Sequence, residues 1–460
     1  MSQIESPPSA APPAGLARVL GLFGAVMLTL SCITPASSLF IIVPEVLAGQ
    51  GQGAVLTLLA GVAVSAAVGC CYAELGTRTP SSGGEYAMVT AVLGRFAGWV
   101  TFTLAATTLV VIPPVIALGT ADYLADLFTV DRQLAGAAVM LLATAIGILD
   151  IKSNAVVTGV FLVIEIAAAV VVAVLGFAHA ERGPGVLVDA AVPDGQGGTS
   201  PFGFAVLMSG LAVAMFVVNG FGTASYLAEE IIEPRRNVAR AVFWSLGLAA
   251  VVIVVPTAAV VLGVGTPDDL VNGTFPDYVR AWGGDTVATA VSLGIAIAIF
   301  NAVIVMVLQN GRVVYASARD RAWPGPVSRT LTRIHPRFGS PWAATLAISL
   351  PGALLAYLVD IESLLTVTSV IVAALCLLLA VAALRVRSAR TAAGTARGWR
   401  MPLWPLPPLL VIAAVGYALT GMAARDLLIT AGIAVAGAVY YLLYLRTRRA
   451  THWAVTLPED

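Results

Sequence analysis

The sequence predicts an all-α polytopic membrane protein with twelve transmembrane helices, and three observations carry that prediction. Of its 460 residues, 59% are hydrophobic and only 11% are Asp, Glu, Lys or Arg, against roughly 25% charged residues in ordinary soluble domains. The apolar residues gather into runs of about 18–25, the length that crosses ~30 Å of hydrocarbon. Aromatic residues stay at 7% and the runs lack strict apolar/polar alternation, which argues against an outer-membrane barrel.

The twelve segments fall near 18–45, 54–75, 90–127, 133–149, 154–178 and 202–228, then 239–264, 286–315, 342–358, 362–384, 403–422 and 426–446. The third and eighth are long enough to tilt or to extend past the bilayer. The first fifteen residues, "MSQIESPPSAAPPAG", have the Pro/Ser/Ala composition of a disordered tail. No basic n-region precedes a short apolar core, so no signal peptide is expected.

Charge placement sets the orientation. With both termini inside, only Arg132, Arg182, Arg280 and Arg425 of the 25 Lys and Arg residues fall on the outer side. That follows the positive-inside bias, and a multi-pass protein of the plasma membrane is expected. The larger outer loops, rich in Gly, Pro and Asp, read as irregular or partly re-entrant caps. Cys32, Cys70, Cys71 and Cys376 all sit within apolar runs and suit packing rather than disulfides or metal binding. No metal site and no cofactor are expected.

Two segments are interrupted. In the first, "SCITPASS" puts Thr34 and Pro35 at mid-membrane, where proline removes a backbone donor and frees carbonyls. In the sixth, "NGFGT" (219–223) loosens the helix with Asn219, Gly220 and Gly222. Unpaired backbone at that depth is tolerated where it lines a protein-buried or watered cavity. Interruptions at matching places in two halves, here five segments apart, point to a transporter site built from inverted repeats. Each break would offer helix-end N–H groups and carbonyls to a carboxylate and a cation. A proline kink paired with a glycine packing notch is the competing structural reading.

Three further stretches carry a family resemblance. They are "YAELGTRTPSSGGEYAMVTAVLGRFAGWV" (72–100), "NGFGTASYLAEEIIEPRRNVARAV" (219–242) and "GRVVYASARDRAWPGPVSRTLTRIHPRFGSPWAA" (311–344). With them the chain resembles the amino acid–polyamine–organocation superfamily of secondary transporters. That resemblance implies a leucine-transporter-like five-plus-five inverted repeat with two extra C-terminal helices. The implied layout is a cytoplasmic tail (1–17), a first repeat (18–178), an extracellular loop (179–200) and a second repeat (201–385). A cytoplasmic linker (386–402), helices 11 and 12 (403–446) and a cytoplasmic tail (447–460) follow.

The resemblance also implies a site. The family's first-helix Gly-Ser-Gly, which presents N–H groups and a hydroxyl to a substrate carboxylate, falls on Ala36-Ser37-Ser38. Ile33 and Thr34 flank it. The family's aromatic gate falls on Phe216, and the position where many members carry an acid is Gly222. Substrate-binding candidates are therefore Ile33, Thr34, Ala36, Ser37, Ser38, Phe216, Asn219, Gly220 and Gly222. The missing acid favours a small neutral or zwitterionic solute over a polycation.

Glu229 and Glu230 end a helix, where the dipole disfavours negative charge, so both should find cations. Arg78, Arg95, Arg312 and Arg319 lie on the same side. An inner gate built on Glu230 and Arg312, with Phe216 as the other gate, is one reading; a static scaffold of surface pairs is the other.

Glu165 is the one ionisable residue well inside the fifth segment, eleven residues past Asn154 and so about 16 Å deep at 1.5 Å per residue. Intramembrane carboxylates suggest proton or ion roles, which makes it the proton-coupling candidate; a satisfied structural carboxyl is the alternative. Some relatives carry a sodium-substituting lysine near the start of this segment; the matching position is Val156.

The expected function is import of a small amino acid or related amine by alternating access, coupled to protons, with sodium coupling left open. An amine, polyamine or other small-solute exchanger of the same fold is the alternative, and a membrane receptor on a carrier fold is the non-transporter alternative. No convergent catalytic set stands out, so no enzyme is expected. The expected partners are a small-molecule substrate and the lipid bilayer, without nucleic acid; the oligomeric state is left unassigned.

Overall fold

The computed structural model describes residues 16–124, 131–188, 190–193, 199–358, 362–388 and 398–455. The N-terminal stretch 1–15, most of the expected linker (389–397) and the final residues 456–460 lie outside the described residues. What is described is mostly helical. Among these residues seven runs are long and apolar enough to cross a membrane: Leu22–Arg78, Arg95–Thr120, Ile151–Ala178, Pro234–Gly263, Asp285–Arg319, Thr368–Val386 and Ala424–Leu445. Arg132–Gly147, Phe204–Val217, Trp342–Leu358 and Leu406–Thr420 are shorter apolar helices. The protein is a multi-pass helical membrane protein.

The chain opens with α1 (Leu22–Ile33), α2 (Pro35–Ser37), a π-turn over Ser38–Ile42, α3 (Val43–Gln50) and α4 (Ala54–Arg78). Then come α5 (Glu85–Leu93), α6 (Arg95–Leu124), α7 (Arg132–Gly147) and α8 (Ile151–Ala178). The expected third segment is thus divided. Gly94 has φ 95, a conformation open to glycine because it lacks a Cβ, and it separates α5 from α6. The first segment also starts later than expected. Residues 16–20 are not helical, and Leu20 forms a parallel bridge with Ile231 while Val19 and Leu20 N–H both donate to the Glu230 carbonyl.

The second half begins with a short hairpin, β1 (Ala191–Pro193) against antiparallel β2 (Thr199–Pro201). After it come α9 (Phe204–Val217), α10 (Thr223–Tyr226), α11 (Pro234–Gly263), α12 (Pro267–Asn272), α13 (Phe275–Gly283) and α14 (Asp285–Arg319). The loop expected to be irregular over 265–285 therefore holds two short helices. Each has a local cause: Thr266 caps α12 through the Asp269 N–H, and Thr274 with Asp277 forms a capping box on α13. The chain ends with α15 (Gly325–Leu331), α16 (Trp342–Leu358), α17 (Glu362–Val386), α18 (Leu406–Thr420) and α19 (Ala424–Tyr440).

Packing places the interrupted helices at the centre. The first helix, α1, lies among α8, α11 and α14, and α11 also packs on α4. The pattern on α8 shows how sequence sets this orientation. Asn154, Thr158, Leu162, Glu165, Ala169 and Val172 recur at helical spacing and are buried. Val156, Val160, Val163, Val170 and Val174 take the opposite, exposed face. The helix is inverted relative to a water-soluble one, with its polar residues turned inward and its valines towards lipid. Small residues permit close approach: a Cβ on Gly176 would stand 2.8 Å from the Ala259 backbone of α11.

Candidate functional site

At the end of α1 the chain turns at Thr34, whose φ 49 and ψ 66 lie in the left-handed region. A β-branched residue is strained there, and such strain gathers at ligand sites. Pro35 drives the turn: as the first residue of α2 it lacks an N–H and cannot continue α1. The loosened Ile33 carbonyl accepts from the Thr34 hydroxyl at 2.8 Å and the Ser38 hydroxyl at 3.4 Å.

The second interruption lies against the first. Between α9 and α10, Gly220 has φ 122, and a Cβ there would fall 2.9 Å from Ile33 N and 3.0 Å from the Cys32 carbonyl. Only glycine lets the two backbones meet. The Asn219 side-chain oxygen accepts from the Gly220 N–H at 2.9 Å and holds the turn. Gln309 of α14 ties the breaks together, accepting from the Thr223 hydroxyl at 2.7 Å and from the Cys32 thiol at 3.8 Å.

Glu165 reaches this junction from α8. Its Oε1 accepts from the Ala36 N–H at 2.8 Å, and the residue is fully buried. Because Pro35 has no N–H, Ala36 carries the first donor of the rewound helix, where the dipole favours an anion. The other oxygen, Glu165 Oε2, has no hydrogen-bond partner among the described residues; neither do Ser37 Oγ and the two amide atoms of Asn301. Asn301, on α14, lies beside the same carboxyl without a well-aligned hydrogen bond to it. Buried polar groups are seldom left in this state unless a water, ion or ligand completes them.

Further along α14, the two glutamates that follow α10 have every carboxylate oxygen paired. Arg312 grips both oxygens of Glu230, one of them at 3.0 Å through Nη2, and donates to the Leu308 carbonyl at 2.9 Å. Arg319 donates to Glu229 Oε2 at 2.6 Å, while Glu229 Oε1 accepts from the Ser82 N–H at 2.8 Å. The other two expected arginines go elsewhere. Arg78 pairs with Glu74 at 2.8 Å, one turn away on α4. Arg95 donates to the carbonyls of Arg449 and His452. Proximity decides both cases, since Glu74 stands four residues from Arg78 and the C-terminal segment covers Arg95. Trp453 is buried there and donates to the Arg95 carbonyl at 3.0 Å.

The sequence-derived candidates therefore divide. Ile33, Thr34, Ala36, Ser37 and Ser38 meet Gly220 and Glu165 at one junction, with Asn219 and Gly222 in the adjoining turn. Phe216 sits half-buried on the last turn of α9, and its carbonyl accepts from the Asn219 N–H at 3.0 Å. Glu230 and Arg312 form their pair seven residues past Thr223 and three past Gln309. Val156 is 67% exposed on the lipid side of α8, remote in role from the junction. Sequence reasoning missed Gln309, Asn301 and Cys32. The signal was present, since Asn301 and Gln309 are amides inside the strongly apolar run "IAIAIFNAVIVMVLQNG".

Two broken helices thus meet inside the bundle, with an under-satisfied polar cluster between them. A family model for amino acid permeases matches residues 20–444. The chain belongs to the amino acid permease family and is similar to transporters over most of its length. The human cationic amino acid transporter 4 is 27% identical across 75% of this chain, which spans 55% of that relative. An uncharacterised transporter of Mycobacterium tuberculosis is 30% identical over 76% of both chains. The methylthioribose transporter of Bacillus subtilis is 23% identical over 94% of both.

Proposed function

We propose that the protein imports a small amino acid or related amine across the plasma membrane by proton-coupled alternating access. One observation carries this reading: the Ala36 N–H is held at 2.8 Å by the buried carboxylate of Glu165. A half-helix N-terminus is the natural seat for a substrate carboxylate, and here an internal carboxylate occupies it. Ionised Glu165 competes for the donor; protonated Glu165 accepts more weakly and yields it. Proton and substrate are then taken up together. The Ser37 hydroxyl and the Asn301 amide supply further hydrogen bonds, and the turns at Ile33–Ser38 and Asn219–Gly222 form the walls. Phe216 closes one side, and the Glu230–Arg312 pair closes the other towards the cytoplasm. The halves 18–178 and 201–385 move against each other around this point, with both termini inside.

The test is uptake of radiolabelled amino acids and amines by vesicles carrying the purified protein, under an imposed proton or sodium gradient. Accumulation driven by an inward proton gradient is the expected result, and Glu165→Gln should transport with its pH dependence removed. Binding without accumulation would identify a receptor instead. A Glu165→Gln variant with wild-type pH dependence would remove the carboxylate from the coupling step.

The same hydrogen bond also favours a second reading. If Glu165 keeps the Ala36 N–H throughout the cycle, the ligand is one without a carboxylate, and the relative matched over 94% of both chains is named for methylthioribose. Uptake of uncharged solutes, unaffected by competing amino acids, would select this reading.

A further inference from the structure

At the start of α11, a cavity of about 580 Å³ opens between Arg235, Arg236, Arg240, Phe243, Trp244 and Trp399. The arginines occupy the first two turns of α11. Trp399 comes from the segment that leads back to α18; its ring lies 5.2 Å from that of Phe243, and its backbone N–H donates to Thr77 Oγ1 at 3.0 Å. One wall of the cavity is thereby pinned to the end of α4. Arg236 approaches Glu233 at 4.0 Å, and both side chains are largely exposed, at 64% and 67%. Such a pair holds little, which leaves the arginine available to a stronger anion.

What adjoins the cavity identifies its ligand. Arg236, Arg240, Trp244, Leu248, Val251 and Val255 follow one another at spacings of three and four, so they share one face of α11. Trp244 is 61% exposed, Leu248 37%, Val251 59% and Val255 40%. Along this face cations give way to an indole and the indole to aliphatic side chains. That is the order of phosphate, interface and hydrocarbon in one leaflet. Guanidinium groups hold phosphate oxygens through charge-assisted, often bidentate, hydrogen bonds.

We propose that this cavity binds the headgroup of an anionic glycerophospholipid. The phosphate sits between Arg236 and Arg240, the glycerol lies against Trp244 and Trp399, and an acyl chain runs along Leu248, Val251 and Val255. A soluble phosphate would use the arginines but not the apolar track, so the lipid is the better match. The inference stands apart from the transport reading and uses none of its residues.

The test is quenching of tryptophan fluorescence, with the full chain in neutral detergent micelles. The probes are brominated phosphatidylglycerol and brominated phosphatidylcholine, and Trp244→Phe/Trp399→Phe identifies the local signal. Phosphatidylglycerol should quench at lower concentration, and Arg236→Gln/Arg240→Gln should erase the preference, by about fivefold for each arginine. The preference should also shrink as salt rises from about 0.01 to 1 M, because the Debye length falls from about 30 to 3 Å. Equal quenching by the two lipids would overturn the proposal. So would a preference untouched by the arginine changes, or full competition by millimolar inorganic phosphate. If the double variant fails to fold, the salt titration on the wild-type chain decides alone: a salt-independent preference overturns it.

Discussion

Around the break in α1, Ser37 Oγ, Glu165 Oε2 and both amide atoms of Asn301 are buried without partners among the described residues. Roughly three turns further along α14, Glu230 gives both oxygens to Arg312, and Glu229 gives one to Arg319 and the other to Ser81 and Ser82. The two regions share α14 and burial, yet one leaves a buried carboxylate oxygen unpaired where the other pairs every glutamate oxygen. An orphaned buried group costs about 1–3 kcal/mol. It persists where something transient completes it, as a solute would. A saturated charge network instead holds one arrangement until the whole pair separates, which suits a latch.

The largest expected effect lies in the saturated region. Arg312→Met leaves the Glu230 carboxylate buried and unpaired, which should cost about 3–5 kcal/mol and lower the melting temperature in detergent sharply. Adding Glu230→Gln should restore most of the loss. A single variant that melts like the wild type would show that the pair is solvated after all.

Next in size is Gly220→Ala. Its Cβ would meet Ile33 N at 2.9 Å with φ at 122, and forcing a side chain into such backbone costs about 1–3 kcal/mol. Loss of uptake out of proportion to lost stability would tie the contact between the two turns to transport. Uptake at wild-type rates would show that the turns can part freely.

A smaller and more selective effect is expected at Ser37. Since its buried hydroxyl has no partner among the described residues, Ser37→Ala removes an orphaned group and should not lower stability. It should nevertheless weaken substrate binding, by about 1 kcal/mol for a lost hydrogen bond. The reverse pattern, lower stability with unchanged affinity, would make the junction ordinary packing.

The last effect concerns a control outside both regions. Asp150 caps α8 through the Lys152 and Ser153 N–H groups, and the Ser153 hydroxyl bond, 2.5 Å long, holds its carboxyl below the usual carboxylate range. Replacement by Ala should cost about 1 kcal/mol. Because the folded-state pKa is depressed, the contribution is full at neutral pH and disappears as pH falls through that lowered value. Thermal melts of both chains should therefore converge in acid.

Much of this was legible from the residues. Thr34-Pro35 and Asn219–Gly222 announce interrupted helices because proline lacks a donor and glycine lacks a Cβ, both local properties. The family stretches are contiguous and could be read directly. The divided third segment was less visible: Gly94 is one glycine among 44, and nothing nearby says that it would take φ 95. The saturated network was half legible. Glu229 and Glu230 plainly needed cations, but four arginines of equal chemistry were on offer, and only distance could choose between them.

The sequence alone determined the membrane class, the places where backbone would be freed, and the depth of Glu165 along its helix, since each follows from composition or helical rise. Tertiary structure decided partnership. Ala36 and Glu165 are 129 residues apart, as are many equally polar pairs that never meet. A hydrogen bond depends on fractions of an ångström between helices, and that separation is set by how α1, α8 and α14 pack together.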